Sequence, residues 1–161
     1  MTPITHPFDP VCAPDARVLI LGSFPSVRSR EEGFYYGHPR NRFWQVLADI
    51  FDEEPPGSID EKRAFLIARR IALWDVCAAC EIEGSADASI REAVPNDIPA
   101  LVKRAQICAI FTNGTAADTL LRRHFPEMEA TKLPSTSPAN AAWTRAKLAD
   151  AWAAVAAAAR G

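Results

Sequence analysis

The sequence predicts an α/β protein, a three-layer α/β/α sandwich around a central four-stranded parallel sheet. Three observations predict it. Short apolar runs at Val18–Leu21, Ile71–Trp74 and Ile107–Thr112 each end at Gly, Asp or Asn-Gly. Their continuous apolarity, without alternation, is the pattern of strands covered on both faces, as parallel strands are. Between them lie stretches with the apolar spacing or start signals of helices. The chain of 161 residues suits one domain, 1–161, with one sizeable core.

In chain order, Val18–Leu21 is the first strand, set up by Pro14-Asp15 and stopped by Gly22. A long loop rich in Gly, Pro, Tyr and Arg follows, Ser23 to Arg42, and a loop that long in a compact domain is usually functional. A helix begins near Asn41 and runs through Ile50, because Phe43, Val46, Leu47 and Ile50 share one face. Asp52–Gly57 is a turn, and Ser58-Ile-Asp-Glu61 is a capping box that opens a helix to about Arg70. Ile71–Trp74 is the second strand. Glu81–Asp97 reads as polar and irregular, and Ile98–Arg104 as a helix with Pro99 in its first turn. Ile107–Thr112 is the third strand, Thr115–Phe125 a helix, Thr131–Leu133 a short fourth strand and Ala141–Ala159 an alanine-rich helix.

This alternation implies right-handed crossovers, and ligands in such sheets bind beyond the carboxyl ends of the strands. Four loops are therefore expected on one rim: Gly22–Arg42, Asp75–Glu83, Asn113–Thr115 and Pro134–Asn140.

Composition narrows the function classes. Eighteen basic and twenty acidic residues give a net charge of −2, so no global basic field points to nucleic acid. The basic residues cluster locally, at Arg28, Arg30, Arg40 and Arg42, and again at Arg145 and Lys147; a solvated face is the plain alternative. No apolar run reaches the roughly 18 residues a membrane span needs, so no membrane partner is expected. Met1–Pro10 lacks the basic start and apolar core of a secretory signal, which makes the cytoplasm the expected location. Cys77-Ala-Ala-Cys80 has metal-ligand spacing, but no second pair or nearby histidines accompany it. It is read as structural thiols, with Cys108 as a core residue.

The motifs fall on the expected rim. Gly22-Ser-Phe-Pro25 is a Gly-x-x-Pro turn after the first strand, and Ser135-Thr-Ser-Pro-Ala-Asn140 is a Ser-Pro loop after the last. Gly37-His-Pro-Arg-Asn-Arg-Phe-Trp44 lies between them. Together, from Val18 to Trp152, these segments resemble the uracil-DNA glycosylase superfamily. The His-Pro segment resembles that of the mismatch-specific branch, and the combination is most similar to the hypoxanthine (deoxyinosine) DNA glycosylases. The resemblance implies a cofactor-free, metal-free and monomeric enzyme. It would act on double-stranded DNA carrying a deaminated base and leave an abasic site. It also implies that Asn41 is the catalytic residue and Tyr36 the stacking aromatic. Uracil-removing branches place Asp or Asn where this chain has Phe24, and the classical histidine of the last motif falls on Ser135.

The residue chemistry suits that activity. A glycosylase flips a nucleotide out of the duplex at a cost of a few kcal/mol. Stacking on an aromatic ring returns roughly 1–3 kcal/mol per base. Tyr36 suits this task, with Tyr35 as the spare, unless both simply pack the loop. The amide oxygen of Asn41 can aim a water at C1′, or its NH₂ can bond the base; Asn at this position is also a good helix cap. His38 can polarise the leaving purine, or it can bond backbone before Pro39. Asp75 and Asn113 end strands at the rim, where Asn can pair with a purine edge and Asp can accept from N1–H of hypoxanthine. Turn and cap chemistry is their alternative. Ser23 and Phe24 complete the expected base pocket. Gly22, Pro25, Ser26, Arg40, Ser135, Ser137, Pro138, Asn140 and Arg145 are expected to meet DNA.

Three rivals remain. A Ser/His/Asp hydrolase could draw on Ser135 or Ser137, His124 and Asp75, but no Gly-x-Ser-x-Gly elbow exists and His124 reads as exposed. A noncatalytic nucleotide-binding module would explain the fold but not the Asn41 segment. A uracil or mismatch glycosylase of the same superfamily is the nearest alternative, and Phe24 argues against strong uracil activity.

Overall fold

The structure, a computed structural model, describes residues 3–161. Its elements in chain order are β1 (Ile4–Thr5), β2 (Val18–Gly22), α1 (Val27–Glu32), α2 (Phe43–Ile50), α3 (Ile59–Ala68), β3 (Ile71–Asp75) and β4 (Cys77–Glu81). After a 3-10 turn at Asp87–Ser89 come β5 (Arg91–Pro95), α4 (Ile98–Arg104), β6 (Ala109–Asn113), α5 (Thr115–His124), β7 (Thr131–Leu133) and α6 (Arg145–Arg160).

The central sheet is parallel and four-stranded, in the order β3-β2-β6-β7, as expected. Val18, Leu19, Ile20 and Leu21 are all fully buried, because side chains alternate across the sheet and both faces are covered. Val18 and Ile20 pack with Phe43, Val46 and Leu47 of α2, Leu66 of α3 and Trp152 of α6. Leu19 and Leu21 face the other way, against Ile98 and Leu101 of α4, Leu120 and Leu121 of α5, and Cys77 and Cys80. Those two clusters are the two cores of an α/β/α sandwich.

Several boundaries differ from expectation. The loop after β2 contains α1, capped by Ser26, whose hydroxyl accepts from Ser29 N–H at 3.1 Å, and ended by Gly33 in the left-handed region. Six residues are too few to show helical periodicity. The stretch expected to be irregular holds β5, which pairs with β4, and β4 pairs in turn with β1 in a second, antiparallel sheet. These strands are short and bulged, and β4 is rich in Ala and Cys, so no alternation marks them. The terminal helix starts at Arg145 because Thr144 is its cap, accepting from Lys147 N–H.

Cys108 precedes β6 and is exposed, not a core residue, while Cys77 and Cys80 are buried. His124 is half-buried rather than exposed. No helix among the described residues is long and apolar enough to cross a membrane.

Candidate active site

Parallel pairing of β2 with β3 sets Gly22 opposite Asp75, and β6 and β7 end alongside at Asn113 and Leu133. Three of the expected rim loops converge, while most of the fourth, Asp75–Glu83, is instead strand β4 and contributes only Asp75. Together with Ser85 and Asp87 from the connection after β4, they enclose a cavity of about 300 Å³, near the lower bound for small-ligand sites. Its wall contains Gly22, Ser23, Phe24, Pro25 and Ser26 from the first motif and Tyr36, His38 and Asn41 from the second. Asp75 and Asn113 come from strand ends, and Ser135, Ser137 and Pro138 from the last loop. Every residue expected to bind the base or act in catalysis is thus at one cavity.

At its centre is a hydrogen-bonded chain. Thr136, fully buried, donates from Oγ1 to Asn41 Oδ1 at 2.8 Å. Asn113 Nδ2 donates to that same hydroxyl at 3.0 Å, and Thr136 N–H donates to Asn113 Oδ1 at 3.1 Å. Asn41 Oδ1 also accepts the Phe43 N–H at 3.0 Å and so caps the start of α2. A backbone N–H can only donate, so this contact orients the amide. With both lone pairs of Oδ1 engaged, Nδ2 is the end left for a ligand. The water-aiming reading of the Asn41 oxygen thus meets an oxygen already in use. The cap and the site function coexist in this residue.

Tyr36 has φ 52°, an unusual left-handed conformation for an aromatic residue. Its ring stacks on Phe43 with centroids 4.0 Å apart, so one face is occupied by the protein. Its hydroxyl is buried beside Asn113 and Asp75, and no described residue partners it in hydrogen-bond geometry. Burial, with Asp75 adding, pushes this phenol well above its ordinary range, so it stays a donor at neutral pH. Tyr35 is a packing residue whose hydroxyl donates to the Asp9 carbonyl at 3.0 Å. Phe24 is buried in the wall, with the Arg30 guanidinium 5.6 Å from its ring centre. His38 Nδ1 accepts from Arg40 N–H at 3.1 Å, which leaves the hydrogen on Nε2 in the neutral ring.

Ser23 Oγ donates to Asp87 at 2.7 Å and so is committed to a neighbour. Burial of the Asp87 carboxyl raises it above its usual range, the Ser23 hydrogen bond opposes this and Asp75 adds to it. The residue as a whole is exposed, so water screens much of the effect. Asp75 Oδ2 accepts from His6 Nε2 at 2.8 Å. His6, Asp87 and Thr136 were not anticipated from sequence. The histidine beside Asp75 is His6, not His124, so the hydrolase triad is not assembled.

The expected DNA-contacting residues divide into groups. Gly22 and Pro25 are buried in the cavity wall rather than on an outer surface, and Ser26 is the cap of α1. Pro138 is exposed at the cavity rim, and Arg40 is exposed in the loop that carries His38 and Asn41. Asn140 Nδ2 donates to Ser135 O and closes the last loop. Arg42 fixes that loop through the carbonyls of Ser137, Asn140 and Trp143. Arg145 forms a bidentate pair with Asp49, at 2.7 and 2.8 Å, instead of facing the cavity.

A parallel sheet whose rim loops enclose a cavity beyond Gly22, Asp75 and Asn113 defines an α/β protein with its site at the carboxyl ends of the strands. Residues 10–158 match the model of the uracil DNA glycosylase superfamily, and the chain belongs to that superfamily. A protein of Methanosarcina acetivorans named hypoxanthine DNA glycosylase is 34% identical over 157 residues, covering 94% of this chain and 98% of that one. A second of that name, from Methanosarcina barkeri, is 37% identical over 95 residues, covering 58% of this chain and 60% of its own. A solution NMR structure from Methanosarcina acetivorans, of a protein assigned provisionally as a uracil DNA glycosylase, superposes with a TM-score of 0.79. It is 33% identical, over 96% of this chain and 97% of that one.

Proposed function

We propose that this chain is a monofunctional DNA glycosylase whose substrate is deoxyinosine in duplex DNA, acting as a single-domain cytoplasmic monomer. The observation that carries the reading is the orientation of Asn41. Its Nδ2 remains available in a cavity that also holds the Asp75 carboxylate. Hypoxanthine presents an N1–H donor beside an O6 acceptor, so one acceptor and one donor on the wall match its edge. The overall likeness to two proteins named hypoxanthine DNA glycosylase supports the same choice.

In the proposed reaction the flipped nucleotide enters between Phe24 and Tyr36. The C1′–N9 bond breaks with its electron pair leaving on the base, water adds its oxygen to C1′, and the proton that the water gives up balances the one the departing base takes up. Negative charge develops on the purine as the bond lengthens. Donors fixed beforehand, the Asn41 NH₂ and the His38 Nε2–H, stabilise that charge without reorganisation. The exposed Arg40 meets phosphate, which sets register and not base identity.

The test is incubation of a duplex bearing one deoxyinosine, followed by alkali. Strand cleavage is expected, and Asn41→Ala is expected to abolish it with an unchanged circular dichroism spectrum. Release of uracil alone would assign the neighbouring uracil activity. No release from deoxyinosine, deoxyuridine or deoxyxanthosine would leave a noncatalytic nucleotide-binding module.

A further inference from the structure

We infer that His6 is a positioning residue for base recognition, acting through Asp75. The inference rests on the deoxyinosine reading and deepens it. β1 brings the N-terminal segment against β4, with Ile4 opposite Cys80 and Thr5 opposite Ala79. His6 N–H donates to the Ala78 carbonyl at 2.7 Å and continues that pairing. The ring is thereby carried under the carboxyl end of β3, where its Nε2 lies 2.8 Å from Asp75 Oδ2. Both side chains are only 4% exposed.

The surroundings fix the ring. Phe8 meets it edge-on with centroids 4.6 Å apart, Phe24 at 5.9 Å and Tyr35 at 6.0 Å. The Asp75 carboxylate can only accept, so Nε2 carries a hydrogen and donates to it, and the Phe8 N–H points toward Nδ1 at 3.5 Å.

One carboxylate oxygen is therefore tied to His6. The other, Oδ1, faces the Gly22 Cα and the Tyr36 hydroxyl, both of residues in the cavity wall. A carboxylate turns readily about its terminal torsion. Holding Oδ2 removes that freedom and aims the Oδ1 lone pairs at the cavity, where the N1–H of a flipped hypoxanthine would donate. A purine without N1–H would instead present a ring nitrogen lone pair to the carboxylate. His6 thus contributes to which base is accepted without touching it.

The test compares His6→Phe, which keeps an aromatic ring among Phe8, Phe24 and Tyr35 but cannot donate, with His6→Gln, which keeps a donor. Single-turnover excision is measured on deoxyinosine and on 2′-deoxynebularine, a purine lacking N1–H, in the wild-type and Asp75→Ala backgrounds. His6→Phe is expected to slow deoxyinosine excision about tenfold or more, the effect of losing a hydrogen bond to a charged group. The deoxynebularine rate is expected to change little, so discrimination between the bases collapses. His6→Gln is expected to recover most of the rate, and His6→Phe to add little once Asp75 is alanine. Equal losses on both bases, additive losses in the two backgrounds, or a His6→Phe enzyme as fast as wild type would overturn the inference while deoxyinosine activity stands. A wild-type chain inert on deoxyinosine would overturn both.

Discussion

Thr136 Oγ1 donates to Asn41 Oδ1 at 2.8 Å, across 95 positions of the chain. With the Phe43 N–H on the same oxygen, this makes the Asn41 amide an oriented donor rather than a free polar group. An Asn41→Asp substitution separates the two ends of the amide. The carboxylate keeps an oxygen for Thr136 and Phe43 but replaces the NH₂ with an acceptor. Excision is expected to fall about a hundredfold or more, the scale of losing one fixed transition-state donor. Folding stability should be nearly unchanged. A single-turnover rate near wild type would mean that the oxygen is the working end.

Thr136 itself is the hub of the chain from Asn113 to Asn41. Thr136→Val conserves shape and deletes the hydroxyl, leaving Asn113 Nδ2 and one lone pair of Asn41 unpaired. Urea denaturation is expected to show a loss of about 1–3 kcal/mol, with slower excision because the amide gains rotational freedom. Thr136→Ser should retain most of both.

Burial pushes the Cys77 thiol up to about 12 from an ordinary 9.0, with Cys80 and Asp75 adding to the rise. The unfolded chain releases this proton at lower pH than the folded chain. The contribution to stability is therefore complete below pH 9 and is lost as pH rises toward 12. Melting scans across that window should show a decline that shrinks in Cys77→Ala. At pH 8 the exposed Cys108 should react with a thiol reagent well before Cys77 or Cys80.

The sheet was legible because buried parallel strands leave apolar runs bounded by Gly, Asp and Asn. Their carboxyl ends then place Gly22, Asp75 and Asn113 together by topology alone. His38 and Asn41 were legible through a contiguous segment. Thr136 was visible in its loop but not as a hub, since its partners are Asn41 and Asn113, far away in sequence. His6 was not visible, because β1 is only two residues long and its pairing with β4 depends on tertiary placement. The Arg145 pair with Asp49 was not visible for a similar reason, since a basic residue near a motif carries no sign of the carboxylate that it meets.

Gly22 concentrates these constraints in one atom's worth of space. A Cβ there would stand 2.3 Å from Asp75 Oδ1 and 2.9 Å from Tyr36 Oη. Neither neighbour can yield cheaply. Asp75 is held from behind by His6, and the Tyr36 ring is stacked on Phe43. Gly22→Ala should therefore displace Asp75, proposed to meet the base edge, and Tyr36, proposed to meet its face, while the strand, buried on both faces, stays in register. Excision is expected to drop about a hundredfold, the scale of a roughly 1 Å misplacement in a site. Overpacking should cost about 1–3 kcal/mol of stability. If undamaged duplex is held by the rim and not by this cavity, as proposed, its binding should be retained in a fluorescence anisotropy titration. An alanine variant with wild-type single-turnover rates would show that Asp75 and Tyr36 do not need to hold these positions for the reaction.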